Sequence, residues 1–128
     1  MRILLDTHAA LWASFAVERL GESIGGALRR PDRQILFSDA SVLAMVLKEP
    51  TGKLRMEGGV AAFVAERTKP GGYARLPVDT RHILPILDLP RVRRDPFDRL
   101  LVAQCVEEDL VLATVDAAIR RYPIRTIR

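Results

Sequence analysis

Short apolar runs alternate along this chain with stretches whose apolar residues recur at helical spacing. Ile3-Leu4-Leu5 ends in Asp6-Thr7-His8, Ile35-Leu36-Phe37 ends in Ser38-Asp39, and Leu110 to Val115 ends in Asp116. Runs this short, bounded by polar turns and separated by helical patterns, predict strands buried on both faces of a parallel sheet. Ala74 to Val78 and Ile124 to Ile127 are weaker strand candidates, and Pro77 puts the former at the end or edge of a sheet. Helices are predicted from Ala9 to Ser14, Glu18 to Arg30, Ser38 to Glu49, Gly59 to Arg67 and Thr80 to Leu87. Gly21, Gly25 and Gly26 weaken the second. Ser38 supplies an N-cap for the third, which stops before Pro50. Asp95-Pro96 is the best-marked start, with Asp as N-cap and Pro at the first helical position. Phe97, Leu100, Leu101 and Cys105 form the apolar face of that helix. A short helix from Ala117 to Arg121 follows. Strands alternating with helices predict an α/β fold whose sheet is covered on both sides.

Length and composition narrow the class. At 128 residues the chain fits one domain, 1–128. Apolar residues at 48% and charged residues at 28% exclude a disordered chain, a collagen and a coiled coil. One cysteine excludes a disulfide framework and a cysteine-built zinc site. No apolar run approaches the ~20 residues of a membrane helix. Asp6 arrives too early for a secretory leader, so a soluble cytoplasmic protein is expected. Basic residues number 20 against 16 acidic, and all but Lys48, Lys53 and Lys69 are arginine. Arginine's fork grips phosphate through two donors, which suits a nucleic-acid partner. A genome rich in arginine codons gives the same composition.

The placement of the acids adds chemistry. Asp6 ends the first strand, Asp116 ends the fourth, and Asp98 lies in the first turn of the helix between. In an open α/β sheet, ligands bind beyond the carboxyl ends of strands, where strand order reverses. If the first and fourth strands are neighbours there, these acids flank one crevice. Crowded carboxylates repel one another, and Mg²⁺ or Mn²⁺ relieves that repulsion through oxygen ligands and retained waters. Each acid taken alone also reads as a helix cap or a dipole partner, and Asp95 is mainly a cap. His8 follows Asp6, but hard cations favour oxygen. His82, Cys105 and Trp12 read as structural.

Leu4-Leu5-Asp6-Thr7-His8-Ala9-Ala10-Leu11-Trp12 and Asp95-Pro96-Phe97-Asp98-Arg99-Leu100-Leu101-Val102-Ala103-Gln104 together resemble PIN-domain ribonucleases, and more closely the VapC toxins of bacterial VapBC toxin–antitoxin pairs. Gly52-Lys53-Leu54, Leu76-Pro77-Val78 and Thr114-Val115-Asp116 follow in the expected order, so the resemblance runs from Arg2 to Ile127. It implies a three-layer α/β/α domain with a five-stranded parallel sheet. It also implies Mg²⁺- or Mn²⁺-dependent cleavage of RNA such as tRNA or rRNA, and silencing by a cognate VapB-type antitoxin. By position, Asp6 and Asp98 become metal ligands, and Asp116 completes the site directly or through water. Arg91, Arg93, Arg94 and Arg99 cluster beside Asp98, where RNA phosphates would pass, and read equally as a solvated loop; Thr7, Arg94 and Arg99 are the substrate-binding candidates.

One position departs from the pattern. Ser38 to Lys48 aligns with a segment that usually carries Trp and Glu where this chain has Leu43 and Ala44. That Glu is the fourth acid of the family site, and alanine neither ligates nor takes a proton. Asp39 and Glu49 lie five residues to either side, about 140° round a helix from Ala44. Asp39 is the better substitute, since it is nearer the crevice, and water is the other filler. The rival reading is therefore a degenerate PIN domain that binds antitoxin or RNA without cutting. A haloacid-type phosphatase site fits poorly, because His8 stands where Asp-x-Asp needs its second acid, and a receiver-type site fits poorly because Ile35-Leu36-Phe37 ends in Ser38 where the acceptor Asp belongs. The Leu43-Met45-Val46-Leu47 helix and the stretch from Leu20 to Leu28 are candidate surfaces for an antitoxin segment and for homodimerisation.

Overall fold

The computed structural model describes residues 1–128. Five strands, β1 (Arg2–Leu5), β2 (Gln34–Ser38), β3 (Ala74–Leu76), β4 (Val111–Ala113) and β5 (Thr126–Ile127), form one sheet in the order β3-β2-β1-β4-β5. Every neighbouring pair is parallel; Leu4 sits opposite Leu36 on one side and Leu112 on the other. Six helices surround it: α1 (Thr7–Phe15), α2 (Gly21–Arg29), α3 (Asp39–Lys48), α4 (Gly59–Arg67), α5 (Thr80–Ile83) and α6 (Pro96–Glu108).

The period-2 geometry of a strand divides the apolar runs between two cores. Ile3, Leu5, Phe37 and Ala113 enter a cluster of 12 buried residues with Ala9 and Ala10 of α1, Ile24 of α2 and Phe63 of α4. Leu4, Leu36 and Leu112 enter a second cluster, of 11, with Leu101, Val102 and Cys105 of α6. A continuous apolar strand is thus read twice, once by each helical layer, and the three-layer α/β/α architecture follows. Burial pushes the Cys105 thiol up to about 12, as expected of a packing residue. No helix is long and apolar enough to cross a membrane.

Several boundaries differ from the sequence expectation. The helix expected from Glu18 to Arg30 is a 3₁₀ turn at Val17–Arg19 followed by α2, with Gly21 at the break in the left-handed region, φ +78°. Thr80 to Leu87 splits into α5 and a 3₁₀ turn at Leu84–Asp88, because Pro85 supplies no amide donor. Ala117–Arg121 is also 3₁₀. On α6 the fully buried residues are Leu101, Val102, Ala103, Gln104 and Cys105, whereas Phe97 and Leu100 are half-buried.

Gln104 is a polar residue at the heart of this packing, fully buried. Its Oε1 accepts from Ser38 Oγ at 2.6 Å, and its Nε2 donates to the Pro77 carbonyl at 3.2 Å. Ser38 Oγ also caps α3 by accepting from the Ala40 amide at 3.0 Å. One side chain thus ties α6 to the carboxyl ends of two strands.

Candidate active site

The sheet reverses direction of growth at β1, which pairs with β2 on one side and β4 on the other. The chain leaves β1 and β4 at this point and opens a cleft beyond their carboxyl ends. Asp6, Thr7, Asp95, Asp98 and Asp116 all line it, in a cavity of about 300 Å³, together with His8, Ala44, Lys48 and Lys53. The expected meeting of Asp6, Asp98 and Asp116 at one edge is therefore what the fold produces.

Local chemistry orients each acid. Asp6 is buried, and its Oδ1 accepts from the Ala9 amide at 2.6 Å, capping α1. Asp116 accepts from the Ala118 amide at 2.9 Å through Oδ1, while its Oδ2 is held by the Arg93 guanidinium. Asp95 Oδ1 takes the amides of Phe97 and Asp98 at 2.8 and 3.2 Å, the cap predicted for α6. That leaves Asp98, one turn into the helix, facing three other carboxylates. Its carboxyl is pushed up to about 6 by burial first, then by the charges of Asp95, Asp6 and Asp116, with Arg93 acting in the opposite direction. Burial also raises Asp6, against hydrogen bonds from Thr114 and from the Ala9 and Val115 amides and against the charge of His8.

The donors are carboxylate oxygens, the chemistry of a hard divalent cation. As the side chains stand, no three His, Cys, Asp or Glu residues are arranged around one point to hold an ion. Two oxygens cap helical turns and a third is paired with arginine. In donor type and in excess negative charge the cleft fits Mg²⁺ or Mn²⁺.

The vacancy at Ala44 stays a vacancy. Ala44 lines the cleft and is 5% exposed. Asp39 turns instead to Arg75, with oxygens 2.9 and 3.1 Å from Nη2. Glu49 Oε1 accepts from the Val60 amide at 2.9 Å at the start of α4. Neither lines the cleft, and the nearest side chains along α3 are those of Leu47 and Lys48. Thr7 Oγ1 donates to the buried Ser41 Oγ at 3.0 Å, tying α1 to α3 at the cleft wall.

The arginines separate into two kinds. Arg99 donates to the carbonyls of Pro90 and Ile86, both at 3.0 Å, and so clamps the preceding loop onto α6. Arg91, Arg93 and Arg94 are exposed and share with Arg99 a second cavity of about 800 Å³ beside the cleft. Arg93 stood in the sequence as one of an arginine cluster. Its bond to Asp116 had no signature there, because the two residues are 23 positions apart.

The shifted carboxyls give a sign to the pH dependence. Asp98 and Asp6 are harder to ionise folded than unfolded, so the folded state holds more protons above the ordinary carboxylate range, in the case of Asp98 up to about 6. Cation-free protein should therefore lose stability as pH rises through that interval. Thermal unfolding is expected several degrees higher at pH 5 than at pH 7.5. Asp98→Asn should shrink that gap, and an equal gap in the variant would show that other groups produce it.

The sequence matches the PIN domain family over residues 3–124. No curated protein matches it. Among solved structures, VapBC2 from Rickettsia felis, bound to a DNA fragment from its promoter, superposes with TM-score 0.72 at 12% identity, covering 98% of this chain and 97% of that one. VapBC-1 from nontypeable Haemophilus influenzae gives 0.63 at 15% identity, with 98% and 96% covered. FitAcB from Neisseria gonorrhoeae gives 0.54 at 16% identity, with 97% and 95% covered.

Proposed function

The chain belongs to the PIN domain family, and from that premise we propose that it is a divalent-cation-dependent endoribonuclease, the toxin of a VapBC-like pair, acting on structured RNA such as tRNA or rRNA. PIN domains are generally nucleases. The observation that carries the reading is the convergence of Asp6, Asp95, Asp98 and Asp116 in one cleft at the point where strand order reverses. Such a cluster is costly without a cation and productive with one.

Asp6 and Asp98 would hold Mg²⁺ or Mn²⁺, with Asp116 as the third carboxylate. The ion would polarise a phosphodiester oxygen and lower the pKa of water. The protein's own share is placement. Caps at Ala9 and Ala118 set the carboxylate directions, Thr7 shapes the wall, and Arg94 at the neighbouring cavity meets the phosphate backbone. Arg99 contributes by holding the loop that carries Arg91 to Arg94.

An antitoxin of VapB type finds its surface on α3. Leu43, Val46 and Leu47 are 50%, 46% and 55% exposed, next to the face that presents Ala44 to the cleft, whereas Met45, also expected on this surface, is buried in the core. An amphipathic segment laid there ends at the acids, where a basic side chain replaces the metal. The other expected surface, Leu20 to Leu28, is largely spent on packing: Leu20, Ile24 and Ala27 are in the core. The protein should also form a homodimer, and a monomer by light scattering at micromolar concentration would count against it.

The test of the nuclease is incubation of total RNA with pure protein and Mn²⁺ beside Asp6→Asn, which keeps an oxygen to cap α1. Fragments that need both Mn²⁺ and Asp6 support the reading. Absence of any cleavage favours the degenerate alternative, for which Ala44 is the specific observation. Ala44→Glu separates the two further. A fifth carboxylate in the cleft should lower the melting temperature without metal and enlarge the stabilisation by Mn²⁺, with affinity rising roughly tenfold or more. No gain in affinity or cleavage would count against a missing ligand.

A further inference from the structure

Arg93 stands between the acid cleft and the arginine-lined cavity and lines the latter. Its backbone is held: the amide donates to Tyr122 Oη at 2.9 Å, and Tyr122 is buried. Its side chain is 41% exposed and pairs with Asp116 Oδ2. Asp116 Oδ1 accepts from the Ala118 amide, so Oδ2 is the oxygen that turns away from the helical turn and meets Arg93. Arg93 is also the cation that opposes the three acids acting on Asp98. It therefore does in the cation-free cleft part of what a metal ion would do, through Oδ2 of Asp116.

We propose that Arg93 is an exchangeable counter-ion that couples metal entry to RNA binding. The inference rests on the divalent-cation reading of the same cleft. A metal ion that takes Asp116 Oδ2 displaces the guanidinium, since two cations cannot share that oxygen without repulsion. The displaced side chain needs no backbone movement: it is long, partly exposed, and already borders a cavity of about 800 Å³ with Arg91 and Arg94. There its fork meets a phosphodiester, the anion whose geometry suits it. Before loading, Arg93 neutralises the acid; after loading, it adds a phosphate contact. Arg93 is thus a positioning and binding residue whose availability depends on the metal.

Two measurements test the exchange. Calorimetric Mn²⁺ titration of wild type, Arg93→Gln and Arg121→Gln separates direct competition from general charge, since both variants lose one positive charge. Arg93→Gln should bind Mn²⁺ about three- to tenfold tighter than wild type, with Arg121→Gln close to wild type. A short oligodeoxynucleotide then probes the phosphate contact by fluorescence anisotropy. Mg²⁺ should tighten its binding to wild type several-fold and have much less effect on Arg93→Gln. Equal Mn²⁺ affinity in wild type and Arg93→Gln overturns the exchange while leaving the metal site standing, as does an equal gain in Arg121→Gln. Unchanged Mg²⁺ enhancement in Arg93→Gln overturns the phosphate contact. Failure of all three proteins to bind Mn²⁺ overturns the metal reading and the exchange together.

Discussion

Asp98→Asn should lower Mn²⁺ affinity by more than about 100-fold, beyond the ~10–100-fold typical when only a group behind a ligand is lost. Metal-dependent cleavage of RNA should disappear with it. The substitution is nearly isosteric, and the cap on α6 belongs to Asp95, so the helix start survives. It also removes one of four crowded carboxylates, the one whose carboxyl is already pushed up to about 6. The variant should therefore be more stable than wild type in the absence of metal at neutral pH. A gain in stability with a loss of metal binding is a paired signature that a merely misfolded variant cannot give. Calorimetry and thermal unfolding on the same samples check it, and unchanged Mn²⁺ affinity would remove Asp98 from the site.

The largest effect on stability is expected at Gln104. Gln104→Ala removes a fully buried side chain, leaves the Ser38 hydroxyl without its acceptor and strips the Pro77 carbonyl of its donor. Cavity and orphaned polar groups together should cost about 3–5 kcal/mol. Gln104→Leu restores most of the volume but none of the hydrogen bonding, so its cost should fall between wild type and Ala. Urea unfolding of the three proteins measures both. A Leu variant as unstable as Ala would mean that the hydrogen bonds, not the volume, carry the stability of this joint. A loss under 1 kcal/mol in the Ala variant would refute the assignment.

Much of this architecture is legible from apolar spacing. Ile3-Leu4-Leu5 and the run from Leu110 read as strands because they are short, apolar throughout and closed by polar turns, and their pairing brings Asp6 and Asp116 to one edge. Asp95-Pro96 marks the start of α6 to the residue, since cap chemistry is local. The misread pieces depend on partners far along the chain. Asp39 looks available to replace the missing acid until β3 brings Arg75 against it. Glu49 looks like the end of one helix and serves as the cap of the next. Arg99 reads as a phosphate ligand, yet its fork is filled by two carbonyls of a loop with no periodic pattern. Gln104 interrupts an apolar face and gives no sign that its amide closes a gap between two strands. Local rules place elements; long-range polar pairing assigns the side chains.

Helix α6 carries the cap at Asp95, the site acid Asp98, the loop clamp Arg99 and the buried tie at Gln104 along less than three turns. These four tasks share one rotational frame. Insertion or deletion of a single residue between Asp98 and Gln104 turns one group against the other by about 100°, so either the chemistry or the scaffold is lost. Over evolutionary time this segment can exchange residues but not change length. Changes of sequence and length have more room elsewhere, as on the outer face of α3, where Leu43, Val46 and Leu47 are exposed. The spacing from Asp98 to Gln104 thus works as a ruler that sets the distance between chemistry and scaffold, while α6 beyond Gln104 is free of that constraint.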